Sequence, residues 1–133
     1  MFSVGVSDHF MAAHSFADPF FGPAQHLHGA TYAVELEIRA PSLGAHHVVM
    51  DIGALRAILR RSLAALDYAN LDEHPAFPHR TSTTERIAAF LAETLAEAIG
   101  KLPDDAAPIN PATLCVRLRE SPTAWASFEC PLP

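Results

Sequence analysis

Two histidines stand one residue apart in the stretch QHLHGATY (residues 25–32), just before a segment that alternates like a β-strand. His26 and His28 can share one face of an extended chain, and imidazole is a common zinc ligand. A catalytic zinc needs about three protein ligands and an open coordination position. Earlier in the chain, His14 ends another alternating segment. The pattern indicates either a displaced metal site or one that has lost a ligand.

Composition limits the classes of protein to which the chain can belong. It has 133 residues, half of them hydrophobic and 18% charged, which predicts one globular domain over residues 1–133. The net charge of -6, with no cluster of Lys or Arg, argues against a nucleic-acid partner. No apolar run approaches the roughly 20 residues of a membrane span, and the N-terminus lacks an export signal. Because Cys115 and Cys130 have no metal-type spacing, we expect reduced thiols in a cytoplasmic protein.

Hydrophobic periodicity predicts the element order β-β-α-α-β-β. The predicted strands are residues 2–14, 31–39, 113–120 and 124–129, the predicted helices are residues 53–69 and 82–102, and residues 47–52 are predicted to be extended. Ser82 is expected to cap the second helix, with Glu85 completing a capping box. These elements predict an α+β fold, a four-stranded antiparallel sheet with both helices on one face. Such a sheet suits oligomerisation through its strand edges.

Six blocks distributed along these elements carry a family resemblance. They are FMAAHSF, LHGATY, VVMDIGALR, LDYANLD, STTERIA and VRLRES, in that order. They resemble the blocks F-x-A-A-H, L-H-G-H-x-Y/F, G-x-V-x-D-F-x-x-L-K, L-D-H-x-x-L-N, P-T-x-E-N-x-A and V-x-V-x-E-T. These belong to the 6-pyruvoyltetrahydropterin synthase and 6-carboxytetrahydropterin synthase (QueD-like) family. The resemblance covers nearly the whole chain and implies the tunnelling fold, or T-fold.

The resemblance also implies a site and an assembly. Family members bind zinc with three histidines and transfer protons with a cysteine, an aspartate and a histidine. A glutamate near the C-terminus anchors the pterin ring, helped by a threonine-rich helix start. The subunits form hexamers of two stacked trimeric rings, with the sites at subunit interfaces.

At the metal positions the match is incomplete. His14 and His28 match the first two zinc ligands, but Ala30 stands where the third should be, and a methyl group cannot bind a metal. No zinc cofactor is therefore expected. The alternative is a shifted site that uses His26 or His9.

At the proton-transfer positions only the acid matches. Asp67 matches the family's aspartate and is a candidate catalytic residue, whereas Ala24 replaces the cysteine and Tyr68 replaces the histidine. A phenol with a pKa near 10 is a poor base without a strong local field. The resemblance therefore implies that the proton-transfer group is largely missing.

At the ligand-binding positions the match is complete. Glu120 matches the glutamate that anchors the pterin, and Thr83 with Thr84 matches the threonine pair. A carboxylate accepts the adjacent amino and ring N–H groups of a pterin at once, a bidentate and charge-assisted geometry. His14 and His28 would then be partly buried, hydrogen-bonded residues of the ligand pocket.

These positions predict a divergent, homohexameric family member that binds a pterin-like or purine-like heterocycle and lacks the standard lyase activity. Two alternatives stay open, an active zinc-dependent pterin lyase with a rearranged metal site and an oligomeric binding protein with an empty cavity. His74 and His79, in the long segment before the second helix, are also open as residues that reach a site in the assembly.

Overall fold

Five strands and two helices form the fold in the computed structural model, which describes residues 1–133. Along the chain the elements are β1 (Phe2–His14), β2 (His28–Ala40), α1 (Ile52–Ala64), β3 (Ala69–Asn70), α2 (Thr84–Gly100), β4 (Thr113–Ser121) and β5 (Ala124–Pro131). The sheet order is β3-β1-β2-β4-β5. The predicted α+β class and the four long antiparallel strands are confirmed. The two-residue strand β3, which pairs parallel to β1 at Ala12 and Ala13, was not predicted.

The hairpin of β1 and β2 positions the site. Its pairing runs without a break from Phe2 opposite Ala40 to His14 opposite His28, so the two histidines meet at one end of the sheet. The inner faces of both strands are buried, as the alternation predicts; Phe10 of β1 is fully buried. One face of this hairpin therefore packs in the core, and its far end carries imidazoles instead of aliphatic side chains.

Helix α1 begins where Asp51 caps it. The Asp51 carboxylate accepts hydrogen bonds from the backbone N–H groups of Gly53 (2.8 Å) and Ala54 (3.3 Å), which otherwise have no partner in a helix. The prediction that α1 extends to residue 69 is wrong, because the chain turns after Ala64 and Tyr68 adopts a positive φ of 58°. Residues 47–52 were predicted to be extended but form bends and the start of α1.

Helix α2 begins one residue later than the capping box predicted. Thr83 is the N-cap residue, and its hydroxyl accepts a hydrogen bond from the backbone N–H of Arg86 at 3.3 Å. Ser82 instead hydrogen-bonds a side chain of β1 and is fully buried. Both threonines, Thr83 and Thr84, therefore lie at the start of the helix.

Both helices cover the same face of the sheet. Helix α1 packs on β1, α2 packs on β4 and β5, and the two helices contact each other over a core of 28 buried residues. The opposite face carries charged side chains in pairs, including Arg119 with Glu35 (2.9 Å) and Arg39 with Glu129. Neither helix is long and apolar enough to cross a membrane.

Candidate ligand-binding site

A cavity of about 700 Å³ lies where the end of β1 meets the start of β2, beside the N-terminus of α2. The loop between β1 and β2 and the end of β4 complete its walls. All five residues that the sequence singled out for ligand binding line this cavity: His14, His28, Thr83, Thr84 and Glu120. The fold therefore brings together positions that are far apart in the chain.

The two histidines form one edge of the cavity. Their ring centroids are 4.6 Å apart, and His14 is only 3% exposed. The Nδ1 atom of His14 lies 3.1 Å from the carbonyl oxygen of Ser82, and the Nδ1 atom of His28 lies 2.8 Å from that of His26. Because a carbonyl oxygen only accepts, the Nδ1–H tautomer is the one that bonds these carbonyl groups, and the Ser82 hydroxyl, 3.0 Å from Nδ1 of His14, can accept from the same N–H. In the neutral form each Nε2 is then left as a hydrogen-bond acceptor.

A catalytic zinc does not fit the residues around this pair. Ala30 lies two residues after His28 on the same strand face and lines the cavity, but it offers no ligand atom. Ala24 lines the cavity from the β1–β2 loop and likewise has no reactive group. No group of three or more His, Cys, Asp or Glu side chains is placed to hold a metal ion. Two histidines supply fewer protein ligands than the roughly three of a catalytic zinc site.

The other candidate histidines lie outside the cavity lining. His26 is exposed and contributes its carbonyl group to His28. His9 is an exposed side chain beside Asp8 on β1. The ring of His74 packs against the rings of Phe77 and Phe90. The side chain of His79 is exposed, and its backbone has a φ of 61°. Within one chain, none of the four stands next to His14 and His28 as a third ligand.

Glu120 is presented by a β-bulge. Arg119 pairs with Trp125 and Ser121 pairs with Ala124, which leaves Glu120 as the extra residue of β4. A bulge of this kind interrupts the ladder and re-aims a side chain. Here it places the carboxylate at the cavity wall.

The carboxylate of Glu120 is oriented by the start of α2. Its Oε1 accepts a hydrogen bond from the hydroxyl of Thr84, the first residue of the helix. The partial positive charge of a helix N-terminus stabilises a carboxylate at this position. The other oxygen, Oε2, makes no hydrogen bond within the chain. An oriented carboxylate with a free oxygen is suited to accept two neighbouring N–H groups of a ligand.

Tyr32 is a site residue that was not among the candidates from the sequence. It is 2% exposed and lines the cavity next to Thr84. Burial raises the pKa of Tyr32 to about 12, although the neighbouring Thr84 hydroxyl acts in the opposite direction. The phenol is thus a neutral hydroxyl at the base of the cavity. A tyrosine on an otherwise apolar strand face signals this role, because a buried phenol needs a polar partner.

Three phenylalanines of the β1–β2 loop form a further side of the cavity, which we term the aromatic wall: Phe16, Phe20 and Phe21. The ring centroids of Phe16 and Phe21 are 4.4 Å apart, and those of Phe20 and Phe21 are 5.2 Å apart. Phe16 also lies 4.8 Å from His14. None of the three was a candidate from the sequence, although the pair FF beside Pro19 is an available signal.

Arg80 fixes the loop that carries the aromatic wall. Its guanidinium donates to the carbonyl oxygens of Phe16 (2.9 Å) and Gln25 (2.8 Å) and to the hydroxyl of Ser15 (2.8 Å). The Ser15 hydroxyl in turn donates to Asp72 at 2.5 Å. Because a charged donor spans both ends of the loop, its backbone is held against the segment that precedes α2.

Asp67 and Tyr68 lie outside the cavity of their own chain. The Asp67 carboxylate accepts a hydrogen bond from the backbone N–H of Met11 (2.9 Å) and lies 3.7 Å from the guanidinium of Arg60. Tyr68 is 83% exposed. Within one chain, the candidate catalytic aspartate is therefore separated from the residues suited to bind a ligand.

The burial of His14 predicts a pH-dependent stability. Burial, followed by the neighbouring His28, lowers the pKa of His14 from 6.5. The unfolded chain then binds a proton where the folded chain does not, so this contribution to stability is present above pH 6.5 and is lost as the pH falls through the lowered pKa. Between about pH 7.5 and about pH 5, we expect the wild type to lose more unfolding free energy than His14→Gln.

Denaturant unfolding across this pH range measures the effect. His46→Gln is the control, because His46 is exposed and its replacement should leave the pH profile of the wild type unchanged. Identical profiles for the wild type and His14→Gln would rule out a buried neutral His14.

Solved structures share this fold. The 6-pyruvoyl tetrahydropterin synthase of Caenorhabditis elegans aligns with a TM-score of 0.79 at 21% identity, covering 97% of this chain and 95% of that chain. A catalytic-residue mutant of the Plasmodium vivax 6-pyruvoyltetrahydropterin synthase aligns with a TM-score of 0.74 at 20% identity, covering 97% of each chain. An uncharacterised protein of Wolinella succinogenes aligns with a TM-score of 0.67 at 18% identity, covering 96% of this chain and 97% of that chain. The predicted T-fold is confirmed by these likenesses.

Sequence comparison agrees with the fold. No curated protein matches the chain in sequence. The family model for 6-pyruvoyl tetrahydropterin synthase matches residues 3–131, which is nearly the whole chain. The predicted family is thereby confirmed, and the chain belongs to the 6-pyruvoyl tetrahydropterin synthase family.

Proposed function

We propose that this protein binds a pterin-like or purine-like planar heterocycle in the cavity, with Glu120 as its anchor. The observation that carries the proposal is the oriented carboxylate of Glu120, bonded to Thr84 at the N-terminus of α2 with Oε2 free. A pterin presents an amino group and a ring N–H side by side, which two carboxylate oxygens accept together. Thr83, which caps α2, and Thr84 form the polar floor beneath this contact.

The two histidines would serve the same ligand without a metal. Each directs its Nδ1–H to a carbonyl group, so each neutral ring keeps an acceptor at Nε2. A heterocycle held by Glu120 has further N–H groups that such an acceptor can bind. In this proposal His14 and His28 are ligand-binding residues.

The proposal excludes the standard lyase reaction of the family, which requires proton abstraction next to a carbonyl group. The cavity offers Ala24 where the family has its cysteine, and Ala30 leaves the histidine pair without a third zinc ligand. Loss of a general base alone costs about 10²- to 10⁴-fold in rate.

We therefore expect no conversion of dihydroneopterin triphosphate to the pyruvoyl or carboxy product at enzymatic rates. Turnover should lie at least about a thousandfold below the roughly 10 per second of a typical enzyme. Chromatographic detection of the pterin products, beside an active family enzyme as the positive control, measures it. Robust turnover by the untagged protein would contradict the proposal.

The second candidate function is a zinc-dependent pterin lyase with a rearranged site. The observation that favours it is the close approach of the rings of His14 and His28, 4.6 Å between centroids, with Nδ1 of each at a carbonyl group, which leaves Nε2 as the nitrogen available to a metal. It requires His26 or His9 to swing into the cavity, and both side chains are exposed outside it. Metal content separates the two functions.

We further propose a homo-oligomer in the cytoplasm, a hexamer as in the family. Strand β5 forms one edge of the sheet and β3 covers β1 only at Ala12 and Ala13, so two strand edges are free for pairing. Asp67 and the exposed Tyr68 would then contribute to the cavity of a neighbouring chain. Light scattering tests the assembly.

The free thiols of Cys115 and Cys130 fit a reducing compartment, which supports the cytoplasmic location in this proposal.

A thermal-shift panel of pterins and purines tests the binding proposal. A ligand present at about 100 times its dissociation constant stabilises the folded state by about 2.7 kcal/mol. We expect planar heterocycles with an adjacent amino group and ring N–H to raise the melting temperature, and their N-methylated analogues to have no effect. A panel in which no heterocycle raises it would refute the proposal.

A further inference from the structure

The charged side chains of the cavity are unfavourable for an anionic ligand. Its lining contains the carboxylates of Glu85 and Glu120 and no Lys or Arg. A ligand with several negative charges would therefore meet two carboxylates and no Lys or Arg side chain.

The basic groups around the cavity are already engaged or lie outside it. Arg80 donates to Ser15 and to two backbone carbonyl groups of the β1–β2 loop. Arg86 is exposed and does not line the cavity. The partial positive charge at the N-terminus of α2 faces Glu120 through Thr84. No Lys or Arg of this chain is thus placed in the cavity to bind a phosphate chain.

The far side of the cavity is apolar instead. A continuous row of rings leads away from the polar floor, from Tyr32 to His14 (6.3 Å between centroids), then to Phe16 (4.8 Å), Phe21 (4.4 Å) and Phe20 (5.2 Å). Phe20 is 84% exposed at the end of this row. An exposed aromatic ring beside a cavity is available for stacking on a ligand.

The size of the cavity exceeds what a bicyclic heterocycle needs. At about 700 Å³ it lies within the range of about 300–1,000 Å³ that is typical for drug-sized ligands. A heterocycle held at Glu120 therefore leaves space along the aromatic wall. Ala24 and Ala30 widen this space, because both line the cavity with no side chain beyond Cβ.

From this distribution we infer that the ligand is a heterocycle with an uncharged, ring-containing substituent that stacks on the aromatic wall. It is not a heterocycle with a phosphate chain. The inference rests on the proposed function, because Glu120 must hold the heterocycle for its substituent to reach Phe16, Phe20 and Phe21. It adds a ligand class that the retained anchor alone does not specify.

Two matched ligand pairs test it by calorimetry on the full chain. Pterin is compared with 6-phenylpterin, and neopterin with neopterin triphosphate. We expect the phenyl group to tighten binding about tenfold or more, and the triphosphate to weaken it about tenfold or more, with the triphosphate penalty shrinking as salt is added. Phe20→Ser should reduce the gain from the phenyl group, whereas Phe2→Ser, exposed on β1 outside the cavity, should leave every affinity unchanged.

The outcomes distinguish the inference from the proposal beneath it. If pterin and neopterin bind but the triphosphate binds as tightly as neopterin, or the phenyl group brings no gain, the inference is wrong and the proposed function stands. A gain from the phenyl group that survives in Phe20→Ser places the substituent away from the wall and also overturns the inference. If no pterin binds, the proposed function itself fails.

Discussion

Replacing Glu120 with glutamine is expected to weaken heterocycle binding by about 2 kcal/mol, or about thirtyfold. The carboxylate would accept two N–H groups of the ligand, and each hydrogen bond to a charged group contributes about 1.5 to 3 kcal/mol. Glutamine keeps the shape but turns one acceptor into a donor, so one ligand N–H would face another N–H. The fold should survive, because Glu120 is exposed and lies at a bulge, not in the core.

The matched control is Glu129→Gln. Glu129 lies on β5, faces the side of the sheet that the helices do not cover and pairs with Arg39 there. Its replacement should leave heterocycle affinity within about twofold of the wild type, since it is outside the cavity. Calorimetric titration of both variants with the strongest ligand of the panel measures the difference. Equal affinities for the wild type and Glu120→Gln would reduce Glu120 to a structural residue.

The second large effect is on the zinc content of the protein, which we expect to depend on the side chain at position 30. The wild type, purified without chelator, is expected to carry well under one zinc per chain, whereas Ala30→His should raise the content toward one. Ala30 shares a strand face with His28, and His28 pairs with His14 across the hairpin. A third imidazole there would complete the roughly three protein ligands that zinc requires.

Elemental analysis after gel filtration measures the zinc content. Ala57→His makes the same chemical change on the exposed side of α1 and controls for non-specific uptake by an added histidine. Stoichiometric zinc in the wild type would favour the rearranged lyase. An Ala30→His variant with no more zinc than Ala57→His would show that His14 and His28 are not arranged as ligands.

Periodicity was sufficient to predict the strands that frame the site. The alternation of β1 and β2 identified their buried faces, and Phe10 and Tyr32 are buried as that alternation requires. The family blocks supplied Glu120 and the two threonines. These features are readable because each depends on a local pattern or on a motif of a few residues.

The parts that were missed depend on contacts between distant residues. Ser82 and Thr83 are both good helix caps, and the choice between them is made by a hydrogen bond between the ring of His14 and Ser82, 68 residues apart in the chain. The aromatic wall has no periodic signal, and its backbone is held by Arg80 from the segment before α2. A bulge at Glu120 is likewise invisible to a count of alternating residues.

Binding without a metal is the central claim, and calorimetric titration of chelator-treated protein with the best pterin of the panel tests it most directly. The prediction is saturable binding near one ligand per chain, with an affinity that added zinc does not change. Binding that requires zinc, or no binding by the metal-free protein, would contradict it.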